Sequence, residues 1–357
     1  MRLTVLNVSY PLAQVSDGTA GGAEQVLAIL DRGLVRAGHR SIVLAPEGSR
    51  CRGLLIPTPP STSPLTEDAM HRAQAQYREA LGKVLARFSI DVVHLHGIDF
   101  LEYLPDVGIP IVVTLHLPPD WYPSQAFHLR RPESYSVCVS QWQRRASPPR
   151  APIHSVIENG VPLDRFHPAR KKGNYVVGMG RICPEKGFHL AMDAAERAGM
   201  RLLLAGAVYP YPAHQAYFEQ LIRPRLDYGH CLLGPVGNGR KQSLLAGAKC
   251  VLLPSLVPET SSLVAMEAMA CGTPVIAYRK GALNELVQDG RTGFLVNNVA
   301  EMADAIPAAA ELDSVVCRRE AEARFSSDTM IAKYLQLYKE AAGLELTQHT
   351  ELVEVLC

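Results

Sequence analysis

Two stretches of the sequence hold residues whose types and spacing can do chemistry. In Gly178-Met179-Gly180-Arg181-Ile182-Cys183-Pro184-Glu185-Lys186-Gly187, Arg181 and Lys186 stand five positions apart on a turn that follows an apolar run. A guanidinium grips phosphate oxygens in pairs and an ammonium acts as a point charge, so the two together suit a diphosphate. The plainer reading makes both solvated loop charges. The second stretch, residues 254–277, holds Glu259 and Glu267, eight positions apart. That is about two helical turns, too far for a carboxylate dyad. Two separated acceptors suit hydroxyl groups at two ends of one long ligand, such as a ribose and a second sugar. Glu259 can also be a plain helix-start charge and Glu267 a surface residue, but Ala265, Met266, Ala268 and Met269 around Glu267 fit a solvated face poorly.

Both stretches need a parallel sheet to position them. The first follows a strand, Tyr175–Met179, and opens a helix over about 187–198. The second follows the buried run ending at Leu253; Ser261 or Ser262 can cap the next helix, and Gly272-Thr273-Pro274 stops it before the strand Val275-Ile276-Ala277. A helix beginning at the carboxyl edge of a sheet directs free N–H groups and a positive dipole end at its ligand, which favours phosphate. Ligands of open α/β sheets bind at that edge.

The same order of elements occurs in the first half. A strand over about 2–8 leads through Gly18, Gly21 and Gly22 into a helix with Val26, Leu27, Leu30 and Leu34 on one face, ended by Gly38, and then the strand Ser41–Ala45. Apolar runs at 91–95, 111–115 and 136–140 predict further strands, and the Pro/Ser-rich residues 57–64 read as a loop. Around 144–174 the pattern lapses into Arg, Pro and Gly, which places the junction between two units. Strands near 201–205, 230–233, 250–253, 275–277 and 294–296 continue the second sheet. A late helix near 329–342, with Met330, Ile331, Tyr334, Leu335 and Tyr338, packs best back across the junction. The expected division is 1–165, 174–328, a crossover helix at 329–345 and a tail at 346–357.

The chain has 357 residues, 47% hydrophobic and 20% charged, with a formal net charge of +1. That length fits two ordinary domains, and that charge provides no global field to draw in nucleic acid. Eight cysteines without a C-x-x-C pair read as reduced thiols in a cytoplasmic protein. No apolar stretch is long enough to span a membrane. His94 and His96 share a strand end with no third ligand at metal spacing. The basic residues Arg130, Arg131, Arg144, Arg145 and Arg150 read first as a solvated face, with an anionic acceptor or lipid headgroup as the alternative.

These motifs, in this order, resemble those of glycosyltransferase family 4, the retaining GT-B enzymes. The E-x7-E spacing of Glu259 and Glu267 is followed by Glu267-Ala-Met-Ala-Cys-Gly-Thr-Pro-Val-Ile276, and the G-R-x-x-x-E-K-G loop is met by Gly180, Arg181, Glu185, Lys186 and Gly187. Gly21-Gly22-Ala23-Glu24, Asn159-Gly160-Val161 and Gly290-Arg291-Thr292-Gly293-Phe294 add to the likeness, which covers roughly 1–340. The resemblance implies two Rossmann-like α/β domains facing a cleft, the first presenting an acceptor and the second binding a nucleotide-diphosphate sugar, with a UDP-sugar as the first expectation.

It also implies roles. Arg181 and Lys186 would hold the donor diphosphate, Glu267 the ribose, and Glu259 the hydroxyls of the transferred sugar. Backbone N–H groups near Ser261, Ser262, Leu263 and Val264, and the backbone of Gly21 and Gly22, would meet the phosphates. His116 would reach the cleft beside the reacting sugar, with His96 and Trp121 on the acceptor side. No metal and no cofactor are expected, and the acceptor can be a small molecule, a glycan or a lipid-linked molecule, with peripheral membrane contact an option. Many members read E-P-F-G where this chain reads Glu259-Thr260-Ser261-Ser262, which puts the sugar's identity in doubt. The other readings are a GT-B-type sugar-nucleotide epimerase and a non-catalytic sugar-nucleotide-binding protein.

Overall fold

A computed structural model describes residues 2–19, 21–60, 66–226 and 229–344. The expected tail at 346–357 lies outside the described residues. The first half runs β1 (Thr4–Val8), α1 (Gly22–Arg36), β2 (Arg40–Pro46), β3 (Leu54–Thr58), α2 (Glu67–Arg87), β4 (Val92–Leu95), β5 (Ile111–Leu115), β6 (Ser134–Cys138), α3 (Gln141–Ala146) and β7 (Ile153–Val156). The second runs β8 (Tyr175–Met179), α4 (Phe188–Arg197), β9 (Arg201–Ala205), α5 (Pro212–Tyr217), β10 (His230–Gly234), α6 (Asn238–Gly247), β11 (Val251–Leu253), α7 (Leu263–Ala270), β12 (Val275–Tyr278), α8 (Leu283–Leu286), β13 (Gly293–Val296), α9 (Val299–Ala310), α10 (Ser314–Arg324) and α11 (Ser327–Ala341).

The strands form two sheets, ordered β3-β2-β1-β4-β5-β6-β7 and β10-β9-β8-β11-β12-β13, and every pairing within them is parallel. Parallel sheets are covered on both faces, so their strands are apolar throughout and not alternating; β1, β4, β5, β11 and β12 are almost wholly buried.

Two sequence expectations need correction. Residues 57 and 58 end β3 and are not loop, and β7 lies inside the stretch read as junction. Both are edge strands with partly exposed residues, so neither carries the continuous apolar run of a central strand.

Helix α11 leaves the second half and packs on α1 of the first, with Ile331 against Gly33; a methyl group at Gly33 would stand 2.5 Å from the Ile331 side chain. Its Tyr338 hydroxyl reaches His94 Nδ1 at 2.6 Å and its Tyr334 hydroxyl reaches Thr114 Oγ1 at 2.9 Å. The chain enters α11 through a bridge between Val161 and Ser326, where Val161 N–H donates to the Phe325 carbonyl at 2.8 Å.

Candidate active site

In each sheet the strand order reverses at one point, between β1 and β4 and between β8 and β11. The loops leaving neighbouring strands at such a point diverge to opposite faces and leave a crevice. Residues from the loops after β1, β4, β5, β8 and β11 line one cleft of about 720 Å³. It brings together Gly21, Gly22, His96, His116, Trp121, Arg181, Lys186, Glu259, Ser261, Ser262, Leu263 and Val264. Glu267 is absent from it and lines a smaller cavity that shares Leu263 with the cleft.

On the second-half side, the Lys186 ammonium donates to Glu259 Oε1 at 2.6 Å, and the Ser255 hydroxyl donates to the same oxygen at 2.5 Å. One carboxylate oxygen therefore holds the lysine in place. The loop keeps its shape through Gly187, at φ 63°, where a Cβ would sit 2.4 Å from the Pro254 carbonyl oxygen. No L side chain fits there in conformation or space. Helix α7 is apolar almost all round, with Ala265, Met266, Ala268 and Met269 fully buried, and a helix of that composition belongs inside the protein. Ser262 caps it, accepting from the Ala265 N–H at 3.3 Å, so its positive end opens on the cleft.

Glu267 is the one charged residue of α7 and is 3% exposed. Its partner is Lys241 on α6, an ion pair with both side chains nearly buried. Burial pushes the Glu267 carboxyl up, and the Lys241 charge opposes that shift.

The first half contributes backbone and imidazoles. No side chain caps the start of α1 at Gly21, and the Glu24 carboxylate folds back so closely that a Cβ at Gly21 would overlap it. Glu24 is buried, which raises its pKa, while Arg181 across the cleft pulls it down. His116 Nε2 lies 3.0 Å from His96 Nδ1 and the two rings stack. Burial lowers the pKa of His116 to about 4 and that of His96 well below the imidazole range, so both rings are neutral near pH 7. A single proton bridges them, and His96 Nε2 is buried without a partner. His94 is fully occupied by Tyr338 and Thr114 and is structural. The Thr260 hydroxyl donates to the His116 carbonyl at 2.7 Å, a direct bond between the two halves of the cleft.

Three participants escape sequence reasoning. Lys241 has no motif to mark it; Thr260 shows only as a departure from E-P-F-G; Glu24 shows only as the last residue of the Gly21-Gly22-Ala23-Glu24 motif. In the basic stretch, Arg131 donates to the carbonyls of Pro105, Val107 and Ile109, and Arg145 pairs with Glu285. Arg131 is thus tied into the fold, whereas Arg145 is an exposed residue in a surface ion pair, as a solvated face would have it. Among the described residues the seven cysteines are free thiols, and no helix is long and apolar enough to cross a membrane.

Comparison with known proteins matches both halves. The family described as Glycosyltransferase Family 4 matches residues 20–165, and Glycosyl transferases group 1 matches residues 173–311. A Mycobacterium leprae protein named D-inositol 3-phosphate glycosyltransferase is 32% identical over 213 residues, 53% of this chain and 49% of that protein, so the match spans about half of its length. A solved glycosyltransferase involved in avilamycin A biosynthesis is 26% identical, covers 96% of this chain and 98% of its own, and superposes with a TM-score of 0.71. The Anabaena protein HepE, solved in complex with UDP-glucose, shares the fold at 22% identity, 94% and 100% coverage and a TM-score of 0.71.

Proposed function

This chain belongs to glycosyltransferase family 4, and we propose that it moves a sugar, with retention at the anomeric carbon, from a UDP-sugar to a hydroxyl of an acceptor. It is a glycosyltransferase of GT-B fold. The observation that carries the reading is the convergence on one cleft of Arg181, Lys186, Glu259, the capped start of α7, the uncapped start of α1 and the neutral pair His96 and His116.

In this reading residues 1–165 present the acceptor, residues 174–328 hold the donor, and the crossover helix, observed as α11 over Ser327–Ala341, ties them. Arg181, Lys186 and the α7 N–H groups near Ser261, Ser262, Leu263 and Val264 stabilise charge growing on the leaving diphosphate, with the backbone of Gly21 and Gly22 closing on it from the other side. Lys186 donates to Glu259 Oε1, which leaves Oε2 to accept from a hydroxyl of the transferred sugar. Glu267, steadied by Lys241, accepts from the ribose. The departing phosphate oxygen takes the acceptor's proton, so no protein nucleophile and no metal are invoked. The reacting sugar lies beside His116, a neutral hydrogen-bonding ring, and His96 and Trp121 border the acceptor. UDP is favoured because HepE, with the same fold, was solved with UDP-glucose. Free thiols fit a cytoplasmic setting.

A thermal-shift panel of nucleoside diphosphates and their sugars tests the donor, since a ligand of the native state alone raises the melting temperature. The expected pattern is a rise with UDP and UDP-sugars, lost in Lys186→Ala. Incubation with the stabilising nucleotide sugar alone should give slow hydrolysis; an epimer as product would overturn the transferase reading.

A further inference from the structure

The loop after β8 carries more chemistry than Arg181 and Lys186 use. Cys183 and Glu185 stand between them, and α5 brings His214 against the same loop. The Cys183 sulfur, a Glu185 carboxylate oxygen and a His214 ring nitrogen all lie within 4.8 Å of one another. Cys183 is fully buried and His214 is 8% exposed, with its Nδ1 buried and unpartnered. An imidazole nitrogen left unsatisfied in the interior is costly, and such an atom calls for a ligand. Glu185 alone of the three reaches the wall of the cleft.

We propose that Cys183, Glu185 and His214 form a binding site for a zinc-class divalent cation. Sulfur, imidazole nitrogen and carboxylate oxygen together match zinc or cobalt; magnesium and calcium prefer oxygen ligands throughout. Ligands about 2.3 Å (sulfur) and about 2.0 Å (nitrogen) from zinc stand roughly 3.5 Å apart across a tetrahedron. Closing from no more than 4.8 Å therefore takes a shift of the order of 1 Å or less. The thiol releases its proton to solvent on binding, and the thiolate and carboxylate then balance the charge of the ion, which offsets repulsion from the neighbouring Arg181. Three protein ligands leave a fourth position for water. The ion fastens the middle of the Arg181–Lys186 loop to α5 and takes no part in the bond that breaks. The site does not depend on which donor the cleft accepts.

The test uses the whole chain, stripped with a chelator and titrated with Co²⁺ alone and Zn²⁺ alone. One ion should bind per chain, with a near-ultraviolet thiolate-to-cobalt absorption band and a Zn²⁺-dependent rise in melting temperature. Cys183→Ser should lose the band. His214→Gln and Glu185→Gln should keep it while weakening Zn²⁺ binding by about tenfold or more, each with the chelator-treated melting temperature of wild type. If Cys183→Ser does not fold, the other two variants decide. Absence of stoichiometric binding, zinc binding unchanged in His214→Gln and Glu185→Gln, or a Mg²⁺ response as strong as that to Zn²⁺ would each overturn the site. Donor-dependent stabilisation by nucleotide sugars, read in the presence of chelator, separates this outcome from that of the glycosyltransferase reading.

Discussion

Removing the Lys241 ammonium would strand the Glu267 carboxylate in an apolar helix. Breaking a buried pair from one side costs about 3 kcal/mol, so Lys241→Ala should lower the melting temperature in the absence of any donor, and adding Glu267→Gln should restore part of the loss. Lys241 and Lys186 thus carry different expectations. Lys186→Ala removes a partly exposed group poised on the cleft and should lower kcat by on the order of 10²-fold with little change in stability, read by steady-state kinetics beside a melting curve. The imidazoles give a pH signature. Burial lowers the pKa of His94, His96 and His116 in the native state, so between about 6.5 and about 4 the unfolded chain binds protons that the native chain does not. Stability should fall as pH drops through that window, and His116→Asn should flatten the fall by about one proton in chemical denaturation across that range. Arg181, Lys186 and Glu259 are legible in the sequence through the spacing and order of the G-R-x-x-x-E-K-G and E-x7-E motifs, since each alone reads as a loop charge. The contact between His96 and His116 was not, because it depends on β4 and β5 lying side by side, which no local pattern states.

At the scale of elements, the site rests on two short connections. Gly187→Ala should destabilise the chain and raise the donor KM together, because the new methyl group has neither the backbone conformation nor the space it needs. Ser262 separates a cap from a steric effect. Ser262→Ala should cost about 1 kcal/mol and Ser262→Gly only a few tenths, so a change of sugar preference that appears only in the glycine variant would be a matter of room beside the donor, checked with paired UDP-sugars. The central strands and their helices can be read from apolar runs and glycine stops. Strand β3 and α2 could not: β3 holds a proline and exposed positions at the sheet edge, and α2 shows few buried positions along 21 residues.

In the whole molecule, the two halves meet over the cleft through Thr260, through the ion pairs Arg145–Glu285 and Arg324–Glu158, and behind the cleft through α11. Thr260→Val keeps the shape and removes the bond to the His116 carbonyl, worth about 1 kcal/mol. The expected outcome is a larger radius of gyration by small-angle scattering without donor and a donor KM raised about fivefold. The duplicated architecture and the crossing helix were both apparent from the sequence, since Tyr334 and Tyr338 demand a buried partner. Where they would land was not, because His94 and Thr114 lie more than two hundred positions away.

That long reach also fixes an order of events during synthesis. The first sheet is synthesised with His94, Thr114 and Gly33 still bare, and the helix that covers them follows the whole second sheet in the chain. Gly33 and the buried polar atoms of His94 and Thr114 therefore stay without their α11 partners until residues 327–341 are made, and the nascent chain carries that open seam while the second sheet is being translated.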